Sequence, residues 1–371
     1  MHHSILAVLT LLAVLALAPP RADATSCKKV CGKTQTSCFA KAAKDFRTGK
    51  KACKGLAPAD KRVCLATARH TRTAARAACV TAFKSCKSTC GKGGGGGGGG
   101  SGDGACTKSA FGNWLATVNG YRGLAGLPAV AEEPTWTAGE LAHSTYVVKN
   151  NYITHPEDPS KPFYTTAGND AGTNGNVAAS TSVDVDDAWA IDIWISGPFH
   201  AIGILDPLLA RSAFGIYHEQ SAAASAIHTA ATLDVLRGRG GSPGVITFPV
   251  LFPGNGSVMP LDRFQGNESP NPLATCGFAA SQDAPTGAPI IAQFATPPTI
   301  TATSLTRDGV AVDHCEIDGT KTLDGIAAQV LAARNAVVIM PKDVLKKGSR
   351  YDVAITNGGS SVSWSFTVNC Q

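Results

Sequence analysis

The chain has 371 residues, a net charge of +6 and twelve cysteines, which is room for two or three domains once a leader is set aside. No stretch is both long and apolar enough to span a bilayer, so composition excludes a membrane-embedded protein and points to an exported, disulfide-bearing one.

The leader is residues 1–24. Ile5 to Ala18 is an apolar run broken only by Thr10, and Pro19-Pro20 and Ala22-Asp23-Ala24 follow, with small residues where a signal peptidase reads. The expected mature chain begins at Thr25 and is secreted, whether extracellular, cell-surface-associated or periplasmic.

Residues 25–91 carry eight cysteines: Cys27, Cys31, Cys38, Cys53, Cys64, Cys79, Cys86 and Cys90. Read forward from the first, the gaps are 4, 7 and 15, and read backward from the last they are the same. Positions 4 and 11 apart share a helix face, so each half is a helix with a cysteine stripe. An antiparallel hairpin turning near Ala57-Pro58-Ala59 pairs Cys27 with Cys90, Cys31 with Cys86, Cys38 with Cys79 and Cys53 with Cys64. Spacing alone would leave on the order of a hundred connectivities, and the mirror symmetry selects this one. The same residues are too poor in large apolar side chains to build a core, so four bridges at roughly 2 to 4 kcal/mol each take its place. Zinc binding by the Cys-x3-Cys pairs is the weaker alternative, because export and the mirrored spacing favour disulfides.

Charge is segregated along the chain. Residues 25–92 hold 17 Lys or Arg against two acids, a net +15, while everything after them is net −9. A basic rod beside an acidic body suggests attachment to a polyanionic surface (anionic lipid, acidic glycan or nucleic acid), the alternative being a solvated spacer kept soluble by its lysines. Residues 92–105 contain the unbroken run Gly93 to Gly100, a flexible linker spanning roughly 20 Å for about 14 residues.

From 106 to 284 the pattern is that of a globular domain in which helices and strands alternate. Trp114, Leu115, Val118, Asn119 and Arg122 fall at helical spacing and "GLAGLP" ends the segment. Thr137-Ala-Gly-Glu140 reads as a capping box opening a second helix. Asp184, Asp186 and Asp187 load the start of a third, where the helix dipole favours negative charge. "SAFGIY" and "GVITFPVLF" read as buried strands.

From 285 to 371, "IIAQF", "TITATSL", "GVAVDHCEI", "AVVIMP", "RYDVAIT" and "VSWSFTV" are strand candidates at sandwich spacing, and Tyr351 stands where a tyrosine corner forms in immunoglobulin-like sandwiches. The expectation is an all-β domain. Cys315 and Cys370 are expected to bridge its sheets, leaving Cys106 and Cys276 to tie the start of the middle domain to its exit.

Four separated pieces of the middle domain carry a family likeness: "VNGYRGLAGLPAV", "NNYITHPEDP", "GNVAAS" and "WISGPFHAIGILDP" leading to "FGIY". In this order they resemble the CAP superfamily, also called SCP, of cysteine-rich secretory, antigen 5 and pathogenesis-related proteins, in its bacterial form, over residues 112–219. The resemblance implies an α/β/α sandwich with a surface cleft lined by two histidines and two acids. The histidines carry over to His155 and His200. Two imidazoles converging on one cleft can hold a divalent metal, zinc being the natural choice, or serve as general bases.

The acidic set departs from the family pattern. Where the family has Gly-Glu-Asn this chain has Asn174-Gly175-Asn176, so the glutamate falls on Gly175. The family's other acid has no clear counterpart, and Asp192 is a candidate substitute for it, because a carboxylate on the inner face of its helix needs a partner: an imidazolium, a backbone N–H or water. No Gly-x-Ser-x-Gly elbow, His-Glu-x-x-His helix, phosphate loop or dinucleotide fingerprint occurs in the sequence. The expected protein is therefore multidomain, with a four-disulfide α-helical hairpin, an α/β/α CAP domain and an immunoglobulin-like β-sandwich. Its expected role is binding rather than catalysis, with a small ligand, peptide or divalent metal at His155, His200 and Asp192. The alternative is a peptidase-like hydrolase that uses the two histidines.

Overall fold

The computed structural model describes residues 105–221, 223, 225–240 and 246–370, together with a discontinuous set between 32 and 69. The expected leader, the linker up to 104 and seven of the eight cysteines of the expected hairpin lie outside the described residues, as does the expected pairing of those cysteines. The chain divides into two compact units, Met1–Ser101 and Gly102–Gln371, and the division falls inside the glycine-rich linker.

In the first unit the described residues between 32 and 51 are helical. Thr36 Oγ1 and Thr48 Oγ1 each donate to the carbonyl four residues back, at Gly32 (3.0 Å) and Lys44 (3.3 Å). Gly55, at φ +90°, follows a turn in the left-handed conformation that ends helices at little cost to glycine, and residues 61, 65 and 69 are again helical. Cys53 is buried and disulfide-bonded.

The second unit opens with α1 (Trp114–Leu124), capped by Asn113 Oδ1 on the Ala116 N–H, with Trp114, Val118 and Tyr121 buried along one stripe. Next come α2 (Thr137–Asn150), α3 (Thr166–Asn174), strand β1 (Gly175–Ser180), α4 (Asp187–Ser196), α5 (Pro198–Ile204), β2 (Phe214–His218) and β3 (Thr229–Asp234). The three strands form an antiparallel sheet in the order β1-β3-β2. Successive strand residues face opposite sides, and both sides are covered. Val177 and Ala230 join Val147 and Val148 of α2, while Ala178, Phe214, Ile216, Ala231 and Leu233 enter the main core with α1, α4 and α5. The sheet is thus the middle of three layers.

Two local expectations fail here. Thr137 makes no capping hydrogen bond, because Glu140 is fully buried and turns inward to pair with Arg237. Of the described residues in the stretch read as one strand over 244–252, only Val250–Phe252 form a strand.

The strands of the two larger sheets are β4 (Val250–Phe252), β5 (Val258–Met259), β6 (Ile290–Gln293), β7 (Ile300–Arg307), β8 (Val310–Ala311), β9 (His314–Asp318), β10 (Ala336–Pro341), β11 (Arg350–Asn357) and β12 (Ser360–Val368), with α6 (Gly325–Ala332) between β9 and β10. They form a four-stranded sheet, β9-β10-β6-β4, and a five-stranded sheet, β8-β7-β11-β12-β5. β4 pairs antiparallel with β6, and β5 runs parallel to the end of β12. The boundary expected at 284/285 is therefore crossed by both sheets, each taking a strand from residues 250–259. The all-β expectation is corrected as well, since α6, capped by Asp324 and buried through Ala327 and Leu331, lies within the segment. Tyr351 does close a corner: its buried hydroxyl accepts the Lys346 N–H at 2.7 Å.

The four outer cysteines are all bonded, but with exchanged partners: Cys106 to Cys370 and Cys276 to Cys315. Backbone pairing decides this. The Asp262 N–H donates to the Cys106 carbonyl and the Asn369 N–H to that of Met259, which brings the chain end to Cys106. A short 3-10 helix, Pro272–Thr275, ends on Cys276 beside β9, the strand of Cys315.

Candidate functional site

The site is assembled around the junction of α3 and β1. His155 lies in the loop after α2 and is exposed, and its Nδ1–H donates to the Gly172 carbonyl at 2.9 Å. A carbonyl can only accept, so in the neutral ring Nδ1 holds the proton and Nε2 carries the lone pair. Gly172 has to be glycine, because a Cβ there would stand 2.2 Å from the His155 carbonyl oxygen and 2.3 Å from the His143 ring.

His143 is fully buried behind this contact. Its Nε2–H donates to the Thr154 carbonyl at 2.9 Å, and its Nδ1 faces Glu157 Oε1 at 3.1 Å. Burial pushes the imidazole down to about 4 and pushes the Glu157 carboxyl up. At neutral pH the ring is therefore uncharged, with its proton on Nε2 and its Nδ1 turned to the Glu157 carboxyl. Glu157 Oε2 accepts the Thr165 N–H at 2.9 Å, so the pair fixes the loop that presents His155.

His200 stands on α5, which starts at Pro198 after the Ser-Gly break. Its ring is about one-fifth exposed, and Nδ1 meets Glu268 Oε1 at 2.7 Å. The same oxygen accepts the His200 backbone N–H at 2.9 Å. Glu268 is buried, its Oε2 has no hydrogen-bond partner, and a Cβ at Gly197 would stand 2.8 Å from Oε1. The His200 carbonyl accepts from Asn176 Nδ2 at 3.1 Å. Both histidines are thus attached to one short stretch, His155 at Gly172 and His200 at Asn176. Each spends Nδ1 inward and presents Nε2.

Gly175 lies between those two anchor points. A Cβ there would come within 2.8 Å of the Leu233 carbonyl oxygen and 2.9 Å of that of Ala171, so no glutamate fits. The acid on His200 is Glu268, 68 residues downstream, which the sequence analysis did not single out. No local spacing signals it; the one hint was that the acidic set was incomplete.

Asp192 does not join the histidines. It is buried, its Oδ1 accepts from the Tyr121 hydroxyl at 2.6 Å and its Oδ2 from the Ser109 N–H at 2.9 Å. Both oxygens are committed to bracing α4 against α1 and the incoming chain, and burial raises the carboxyl above its usual range. The expected role as a cleft carboxylate is therefore corrected to a structural one.

Asn119 and Arg122 of "VNGYRGLAGLPAV" and Asp206 of "WISGPFHAIGILDP" also hold structure. Asn119 brackets Val130 with two hydrogen bonds, and the fully buried Arg122 donates to the carbonyls of Pro128, Ile204, Asp206 and Leu209. Asp206 Oδ2 is 3.0 Å from Arg334 Nε and 2.6 Å from Arg239 Nε. It ties the end of the motif to the segment that follows α6.

Outward imidazole Nε2 atoms with Nδ1–H held by a carbonyl and a carboxylate suit metal ligation in principle. A zinc site takes at least three protein ligands, and among the described residues no group of three or more His, Cys, Asp or Glu side chains is placed to hold a metal. The residues present do not fit a zinc centre, and no step is derived through one.

No protein-family model matches the chain, and no curated protein matches it. Among solved structures, an extracellular protein containing a SCP domain from Bacillus anthracis str. Ames is similar at 20% identity and a TM-score of 0.24, over 32% of this chain and 38% of that one. The chain therefore spans well under half the length of that structure.

Proposed function

We propose that this is a secreted CAP-type protein that binds rather than cleaves, holding a small ligand or peptide at His155 and His200 and anchored by its basic first unit to a polyanionic surface. The observation that carries the binding role is the state of the two histidines. Each presents Nε2 outward, and no hydroxyl or thiol is hydrogen-bonded to either ring among the described residues. Ser196, the nearest hydroxyl in sequence to His200, donates to the Ile193 carbonyl at 2.7 Å, and no described cysteine is free. Nucleophilic catalysis needs an activated nucleophile within reach of the base. The α/β/α layering and the bracing roles of Asn119 and Arg122 support the CAP reading, and the Tyr351 corner supports an immunoglobulin-like domain after it.

An imidazole of this tautomer accepts hydrogen bonds at Nε2, so the pair suits ligands that donate from hydroxyl, amide or acid groups. Titrating the full chain with peptide and glycolipid panels while following the two ring signals by NMR tests this. Binding should shift both rings and weaken in His155→Ala and His200→Ala; a ligand that binds while leaving both rings unmoved overturns it.

The hydrolase reading is favoured by one feature, the Glu268 carboxylate that orients His200 as a base. It requires peptide or ester turnover that His200→Ala abolishes while the fold survives.

A further inference from the structure

The described helical residues of the first unit are two-sided. Placed at 3.6 residues per turn, Lys33, Lys41, Lys44, Arg47 and Lys51 fall within an arc of about 120°, and the row runs about 27 Å along the axis. All five are exposed. Phe39 and Phe46, both half-buried, and the buried Cys53 fall on the opposite side, and the sixth described helical cation between 33 and 51, the exposed Lys50, falls with them rather than in the row. The described residues interleaved with the cations are Thr36, Ser37, Ala40 and Thr48, all exposed. The basic face is therefore a straight cationic row with small polar spacers.

We propose that this row grips a linear acidic polysaccharide through its anionic groups, which gives the anchoring role its partner class and rests on that reading. Three features of the row select the partner. An interfacial membrane helix sets large apolar side chains beside its cations, whereas five of the six described helical cations between 33 and 51 lie away from Phe39 and Phe46, Lys50 being the exception. A single-stranded nucleic acid is held by aromatic stacking, and no aromatic side chain shares the described basic face. Phosphates of duplex DNA wind around a cylinder, so a straight row would meet them only at crossings, whereas an extended glycan can lie along it. From Lys41 to Lys51 the cations recur about every 5 Å along the axis, after a gap of about 12 Å from Lys33, and about 5 Å is comparable with the rise of one sugar in an extended chain.

The test uses the full oxidised chain with three probes at matched salt: heparin, phosphatidylserine vesicles and a short DNA duplex. Heparin should bind tightest, with log K falling linearly in log salt. Lys44→Gln/Arg47→Gln/Lys51→Gln should lower that slope by about 2, by analogy with counterion release from single strands, and weaken binding at least tenfold. Lys161→Gln/Lys346→Gln/Lys347→Gln, which removes the same charge from exposed positions of the second unit, should stay within twofold of the parent. Circular dichroism and non-reducing electrophoresis establish that both variants fold. Equal losses in the two variants, or none in the first, overturn the proposal. Preference for vesicles or DNA overturns it too while leaving anchoring intact, whereas a parent chain that binds none of the three sinks the anchoring reading itself.

Discussion

One oxygen of Glu268 holds His200 twice, accepting the backbone N–H at 2.9 Å and the ring Nδ1–H at 2.7 Å. Position and tautomer of the ring are set by a single buried carboxylate that reaches α5 from a distant loop.

Glu268→Ala should release both constraints. It leaves two His200 donors without a partner, at a cost of about 1 to 3 kcal/mol for a buried group, and the ring's tautomer becomes mixed. Glu268→Gln keeps an acceptor oxygen and should preserve the tautomer. Ring carbon and nitrogen shifts, together with urea midpoints, check this; an unaltered tautomer in the alanine variant refutes the role.

Asp192→Ala strands the Tyr121 hydroxyl and the Ser109 N–H and should destabilise the fold by at least about 1 to 3 kcal/mol. In Asp192→Asn the amide oxygen can face Ser109 while the Tyr121 hydroxyl turns to accept, so that loss should stay under about 1 kcal/mol. In both variants the signals of His155 and His200 should be unchanged. Movement of either ring would restore Asp192 to the cleft.

Glu140 is fully buried among Asp234, Asp170 and Arg237, and burial with the neighbouring carboxylate lifts its carboxyl to about 8. Its ordinary value is about 4.3, so between the two the folded chain binds one more proton than the unfolded chain and stability falls as pH rises. His143, lowered to about 4, works in the opposite sense below its ordinary value of about 6.5. Its contribution is lost as pH falls from there. The Glu140 slope should therefore stand out between about pH 6.5 and 8, and Glu140→Gln should flatten it. Denaturant midpoints across that window decide the matter.

Asp206 is buried against Arg334 and Arg239. Removing the carboxylate alone should cost about 3 to 5 kcal/mol, because two partly buried guanidinium groups lose their counter-ion. Arg334→Met alone should cost less, since Asp206 keeps Arg239 and the Leu208 N–H. A double-mutant cycle on Asp206 and Arg334 should give a coupling of about 0.5 to 3 kcal/mol, and additive losses would show that the pair does not interact.

Much of the local architecture was legible in the residues. Alternating apolar positions marked the strands around Tyr351 and Trp364, and the aspartates before Trp189 marked a helix start that Asp186 does cap at 3.1 Å. The family likeness singled out His155 and His200, and the structure attaches them to Gly172 and Asn176. The misreadings share a cause. Thr137 and Glu140 fit a capping box by spacing, but the carboxyl is drawn inward by Arg237, 97 residues away. Asp192 invited a histidine by its burial, and the donors that reached it were a tyrosine hydroxyl and a backbone N–H.

By itself the sequence determined the segregation of charge, the glycine break between two units, the period of each element and the identity of the two histidines, because these are properties of neighbours along the chain. Only the tertiary structure decided that Glu268 serves His200, that Cys106 meets Cys370 while Cys276 meets Cys315, and that strands from 250–259 complete the later sheets. Such contacts join residues far apart in the chain. They follow from which surfaces pack together, a choice made by the whole core rather than by any local pattern.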